Sequence, residues 1–253
     1  MYFPFRDRGD ELSRRIGAIS TTRNGGTSPP PFGSLNLGFH VGDDPDNVRK
    51  NRRILADMVE EKFEGDVPFC WLSQVHGTDV VDAEDVIATD EAVEADAGVA
   101  HTPRKACVVM TADCLPVLLC DRDATVVAAA HAGWRGLADG VVEATVDAMD
   151  VDPTRLLAWL GPAIGPDVFE IGPEVREAFL AADEGAEHCF GPSPFHDDRW
   201  VADLYELASR RLRRRGVEQI VGGGFCTYTD EEHFFSYRRD GNTGRMATAI
   251  WIR

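Results

Sequence analysis

The amino-acid sequence predicts an α/β (α+β) protein of one domain, residues 1–253, and three observations support that expectation. Short apolar runs of strand length alternate with longer segments of helical period. Several of these runs are apolar on both faces, as strands buried between layers are. The chain shows no internal repeat, long linker or break in composition. A chain of this length buries roughly 75% of its unfolded surface, so a core can form without disulfide or metal staples. With 43% hydrophobic and 27% charged residues, the composition is globular rather than disordered or disulfide-rich.

The first strand is expected over Ile16–Thr22, running into a Gly/Pro-rich loop from Asn24 to Gly38 that no regular element can occupy. Asp44-Pro45-Asp46 is an N-cap, a proline in the first turn and early acidic charge, opening a helix to about Phe63. Strands are expected at Val67–Val75, Val80–Asp85, Ala106–Thr111, Leu115–Cys120 and Thr125–Ala130, then at Leu156–Leu160, Ile220–Gly223 and Met246–Ile252. Helices are expected at about Leu137–Met149, Pro173–Ala182 and Val201–Arg215, the last closed by Gly216. Five arginines between Arg210 and Arg215 sit at a helix end, where positive charge complements the dipole, and are expected as a solvated face.

A net charge of −17 repels phosphate backbones and anionic membranes, which favours a small substrate over nucleic acid or a membrane surface. No apolar run reaches 18 residues and no basic segment leads into an apolar stretch at Met1, so the cytoplasm is the expected location. Cys70, Cys107, Cys114, Cys120 and Cys226 lie in apolar or strand-like surroundings, as reduced thiols do. A monomer is expected.

Three segments share one layout, an apolar strand delivering a metal-capable side chain at its end: Ser73-Gln-Val-His-Gly77, Thr111-Ala-Asp-Cys-Leu-Pro116 and His131-Ala-Gly-Trp-Arg-Gly136. A catalytic zinc takes three protein ligands and leaves a fourth position to water or substrate, and His76, Cys114 and His131 would supply such a set. Their separations of 38 and 17 residues match no local zinc motif. Taken singly, each residue also reads as structural: a turn histidine, or a core cysteine. Asp113, between two apolar runs, is costly to bury unless paired or near a metal, and could orient a ligand histidine. Arg135, at the start of a helix, could receive an anion, although a plain glycine turn fits the same pattern. Phe234 to Arg245 gathers aromatics suited to stacking on a planar base with arginines suited to anions; an ordinary hairpin fits equally.

Together with Ser20-Thr-Thr-Arg-Asn-Gly-Gly26, Ser34-Leu-Asn-Leu-Gly38, Gly161-Pro-Ala-Ile-Gly165 and Tyr237-Arg-Arg-Asp-Gly241, these segments resemble one family across nearly the whole chain. It comprises the proteins once labelled multicopper polyphenol oxidoreductases or laccases, now regarded as purine nucleoside phosphorylases, and includes the peptidoglycan-editing factors. The resemblance implies a layered sandwich of mixed β-sheets flanked by helices, an arrangement grouped with cysteine hydrolases. It also implies a metal at His76, Cys114 and His131, and phosphorolysis of adenosine, inosine, guanosine and 5′-methylthioadenosine with some adenosine deamination. Purine nucleoside and phosphate are the implied partners. Asn36, His40, Arg52, Arg135 and Arg239 are the candidate substrate-binding residues, and Asp113 joins the triad as a candidate catalytic residue. Zn2+ is the expected ion: the seven histidines include no His-x-His pair, which argues against multicopper chemistry. The His-x-Glu and Pro-Cys-x-x-Cys signature of zinc deaminases is absent too. Two alternatives remain open at this level: an amide hydrolase with Cys114 as nucleophile and His131 as base, and a non-catalytic zinc- or nucleoside-binding module.

Overall fold

The computed structural model describes residues 1–253 apart from 3, 6–10 and 90–92. In chain order the elements are α1 (Glu11–Arg15), β1 (Ile16–Ser20), α2 (Pro45–Phe63), β2 (Phe69–Cys70), β3 (Leu72–Ser73), β4 (Val80–Asp82), α3 (Ala83–Thr89), β5 (Val93–Glu94), β6 (Ala97–Ala100), β7 (Ala106–Thr111), β8 (Leu115–Asp121) and β9 (Val127–Ala132). There follow α4 (Trp134–Asp139), α5 (Val141–Ala148), β10 (Leu156–Leu160), β11 (Glu170–Ile171), α6 (Pro173–Ala182), β12 (Phe190–Pro192), β13 (Trp200–Ala202), α7 (Leu204–Arg214), β14 (Gln219–Gly222), α8 (Tyr237–Asp240) and β15 (Met246–Ile252).

Two mixed sheets dominate, ordered β1-β15-β7-β2 and β14-β10-β8-β9-β6-β4. Because side chains alternate along a strand, each sheet has two apolar faces to cover. Ala18, Val109 and Ile250 of the first sheet meet Leu118, Val127, Ala129 and Leu157 of the second in one buried cluster between the sheets. The outer face of the first sheet, including Ile19, Val108 and Trp251, is covered by Leu55 and Val59 of α2. On the far side, Val117, Leu119, Ala128 and Ala158 pack with Val142 and Val146 of α5, Phe179 of α6 and Leu207 and Leu212 of α7. The layers therefore run helix, sheet, sheet, helices. Every residue of β7, β8, β9, β10 and β15 is buried, the physical reason those runs are apolar on both faces.

Several expected boundaries move. The helix expected over Leu137–Met149 is two, split at Gly140, whose positive φ of 106° caps α4 with an N–H donated to Gly136 O. The strand expected over Val67–Val75 breaks into β2, which pairs with β7, and β3, which pairs with β5, so two different sheets pull on one segment. The strand expected to reach Asp85 stops at Asp82, whose carboxylate accepts from Glu84 N and starts α3. Asp203 caps α7 by accepting from Glu206 N, leaving Trp200–Ala202 as a strand rather than the first helical turn. Strand β6, Ala-Gly-Val-Ala, has a composition too poor in β-formers to be read from sequence. Of the five arginines near the end of α7, Arg210, Arg213, Arg214 and Arg215 make surface ion pairs, but Arg211 is buried, reaching Glu143 and Ala138 O. All six cysteines are free thiols. No helix among the described residues is long and apolar enough to cross a membrane.

A candidate metal centre in a deep cavity

Three chain reversals meet at one end of the sandwich. The corner between β7 and β8 supplies Cys114, β9 supplies His131 one residue before its end, and the loop from β3 to β4 supplies His76. Two reversals need unusual backbone: His76 has φ 63° and Asp113 φ 92°. Strain of about 1–3 kcal/mol at each such residue persists only where the surroundings impose it.

At His76 the imposing group is Asp96, wholly buried just before β6. Its Oδ2 accepts from Val75 N at 3.1 Å and Gly77 N at 2.7 Å, and its Oδ1 accepts from His76 N at 3.0 Å. The same Oδ1 lies 2.7 Å from His131 Nδ1, while the Asp96 carbonyl accepts from His131 N. One carboxylate thus shapes the His76 loop and orients His131, leaving the Nε2 side of the ring to Cys114 and the site. That orienting place, expected for Asp113, belongs to Asp96. Asp113 instead accepts from Thr227 Oγ1 at 2.6 Å and from Arg238 N at 2.7 Å, tying the C-terminal segment to the floor of the site.

The ligand atoms of His76, Cys114 and His131 lie within 4.8 Å of one another, with Cys114 Sγ 3.7 Å from His76 Nε2. Bond lengths of roughly 2.05 Å to nitrogen and 2.3 Å to sulfur on a tetrahedral ion place such a pair roughly 3.6 Å apart, so the set fits a metal. Burial pushes the Cys114 thiol up, but the neighbouring His131 and His76 outweigh it and bring the thiol down to about 6. Burial likewise lowers His131, and the Cys114 thiolate and Asp96 outweigh it, raising the imidazole to about 9. The Asp96 carboxyl, which burial alone would raise, is held below its ordinary value by His131 and the backbone N–H groups. The sulfur is therefore a ready anionic ligand at neutral pH.

The triad opens into a cavity of about 560 Å³, a size typical of small-molecule sites. His40 and Arg135 line it, as does Asp113. Asn36, Arg52 and Arg239, expected beside substrate, do not. Asn36 is fully buried and spends its amide on Gly38, Asp43 and the backbone N of Arg245. Arg52 lies 3.7 Å from the Trp71 ring centroid and donates to Leu37 O. Arg239 donates to the carbonyls of Thr227, Tyr228 and Phe234, clasping its own segment. Their places on the wall are taken by Arg238 and Arg245. Phe234 and Phe235 are buried, and the aromatic of that segment that reaches the cavity is Tyr237, 62% exposed. Sequence reading missed Asp96 and Arg245. The available signals were an acid inside the apolar run Ala95-Asp-Ala-Gly-Val-Ala100 and the last arginine of the segment already singled out.

Gly133 is required for the site. A Cβ there would sit 2.6 Å from His76 Cδ2 and 3.1 Å from Cys114 Sγ. Its φ of −62° suits any residue, so the conflict is steric. Gly133→Ala is expected to weaken metal binding by about tenfold or more, as other disturbances of ligand orientation do. Metal titration would check this, and unchanged affinity would show that His76 can yield freely.

A family model described as multi-copper polyphenol oxidoreductase laccase matches residues 17–253. A protein of Escherichia coli named purine nucleoside phosphorylase YfiH is 53% identical over 239 residues, 94% of each chain. One of Pseudomonas aeruginosa, also named a purine nucleoside phosphorylase, is 52% identical over 94% of each chain. The crystal structure of a Neisseria meningitidis protein superposes with a TM-score of 0.88 at 48% identity, covering 94% of each chain.

Proposed function

This chain belongs to the multi-copper polyphenol oxidoreductase laccase family, and from that premise we propose that it is a purine nucleoside phosphorylase with a zinc site at His76, Cys114 and His131. The observation behind the reading is the convergence of these three donors on a cavity of nucleoside scale whose wall also bears arginines. Relatives named purine nucleoside phosphorylase supply the reaction class. Zinc is favoured over copper by the donors: among the described residues there is one three-donor group, whereas multicopper chemistry needs several.

When bound, the metal would act as a Lewis acid and lower the pKa of a water in its open position toward ~7. The protein's own residues do the rest. Asp96 fixes the tautomer of His131 by accepting from Nδ1–H, so that Nε2 remains a donor atom for the metal. Cys114 contributes a thiolate. Asp113, with both oxygens engaged, holds Thr227 and the backbone of Arg238 against the floor and so sets the cavity's shape. Tyr237 offers the planar base an aromatic face at the cavity wall. Phosphate displacing the purine at the sugar C1′ gives free base, which leaves with a proton, together with ribose 1-phosphate from adenosine, inosine and guanosine or 5-methylthioribose 1-phosphate from 5′-methylthioadenosine. Water taking the attack on the adenine ring instead would give deamination. The catalytic unit is a single domain over residues 1–253, acting as a monomer in the cytoplasm.

The test is metal content and phosphorolysis on one preparation. About one zinc per chain is expected, with turnover abolished by a chelator and restored by zinc. The same side chains also allow a metal-free hydrolase with Cys114 as nucleophile and His131 as base. Activity on an amide that survives chelation but not thiol alkylation would select it and overturn the phosphorylase.

A further inference from the structure

Three arginines reach the cavity wall, but they are differently committed. Arg135 lies with its guanidinium carbon 4.4 Å from the ring centroid of Trp134 and is the second residue of a six-residue helix. Arg238 donates from Nη1 to Glu170 O and sits 5.5 Å over Phe169. Arg245 is anchored from two directions: its backbone N donates to Asn36 Oδ1, and its Nη1 donates to the carbonyls of Thr243 and Gly244. Among the described residues no carboxylate forms an ion pair with it, and no acceptor engages its Nε or Nη2.

We propose that Arg245, with His40 beside it, is the anion-binding end of the cavity and takes the inorganic phosphate of the reaction. The two side chains converge over Gly38, where a Cβ would lie 2.9 Å from Arg245 Cγ and 3.2 Å from His40 Cε1. Arg245 stands at the triad end of the cavity, where it feels the charges of Cys114 and Asp113. A guanidinium partly withdrawn from water with no carboxylate in ion-pair contact is an incomplete ion pair. Its remaining N–H groups form the planar fork that matches a phosphate's paired oxygens. On the wall three arginines, Arg135, Arg238 and Arg245, outnumber the Asp113 carboxylate and the Cys114 thiolate, so the lining is locally positive on a protein of net charge −17. The Asn36 amide, absent from the wall, acts here by setting the backbone from which Arg245 projects.

This assignment rests on the phosphorylase reading, and its test separates the two. Inorganic phosphate is titrated calorimetrically into metal-loaded wild type and Arg245→Gln, and phosphate and nucleoside KM are measured on both. Expected are phosphate affinity weakened, and phosphate KM raised, by about tenfold or more, with nucleoside KM and bound metal retained. Equal phosphate binding by the two proteins would overturn the assignment, as would a variant whose nucleoside KM rises in step with that for phosphate. Should Arg245→Gln fail to fold, His40→Gln, at an exposed position of the single 3-10 turn Phe39–Val41, decides by the same readings: weakened phosphate binding supports the assignment and unchanged binding overturns it. Wild type that binds phosphate through Arg245 yet cleaves no purine nucleoside would fail the phosphorylase and keep the anion site.

Discussion

Asp96→Ala is expected to destabilise the protein by about 4 kcal/mol and to leave whatever folds unable to hold metal. The carboxylate is wholly buried and accepts from Val75 N, His76 N, Gly77 N and His131 Nδ1. Each buried donor left without an acceptor costs about 1–3 kcal/mol, reduced where the chain relaxes or water enters. Breaking a buried charged pair by removing one member costs about 3–5 kcal/mol, which sets the same scale. The His76 loop, held at φ 63°, loses its tie to the Asp96 carboxylate and is free to relax away from Cys114. Asp96→Asn is the finer probe, since it keeps the shape and one acceptor but turns an N–H donor toward other donors. For it a smaller loss of roughly 2 kcal/mol is expected, with metal affinity down about 10–100-fold as for other groups that orient ligands. Urea unfolding of metal-free protein and competition against a chelating dye would measure both. Metal affinity at the wild-type level in Asp96→Asn would remove Asp96 from the site.

The contrast between Asp96 and Asp113 shows what sequence could convey. Asp113 announced itself because it interrupts two strongly apolar runs; Asp96 lies among alanines, where a strand is hardly visible, and β6 went unread with it. Cys114 and His131 were legible as candidates because they adjoin strands buried on both faces, β7, β8 and β9, whereas His76 follows only the two-residue β3, whose Ser73 is exposed. The helices opened by a proline, α2 and α6, were placed nearly to the residue, since the prolines, and Asp44 ahead of α2, act locally. The sandwich came from the family resemblance, because which sheet a strand joins depends on contacts far along the chain. Which arginine faces substrate was illegible for a related reason. Arg238 and Arg239 are neighbours on one short helix, yet one reaches the cavity and the other clasps three carbonyls of its own segment. Only the turn geometry around Ser236 and Gly241 decides between them.

Cys114→Ala is expected to lower phosphorolysis by about three orders of magnitude, the several kcal/mol a metal supplies to a transition state. The fold should barely notice. Cys114 is only partly buried at a corner, and its sulfur meets only the rings of His76, at 3.7 Å, and His131, so metal-free stability should change by about 1 kcal/mol. Metal-loaded protein is different, because a ligand present at a hundred times its dissociation constant adds about 2.7 kcal/mol to the native state, and that increment disappears when the anionic donor is lost. Two imidazoles remain, and His131 no longer has the thiolate that helped raise it to about 9, so it moves back toward neutrality. The informative measurement is the pair of quantities together, bound metal and turnover on one sample. Both lost supports the metal reading. Turnover retained without metal would sink it, and metal retained while turnover vanishes would recast Cys114 as a nucleophile beside a structural ion.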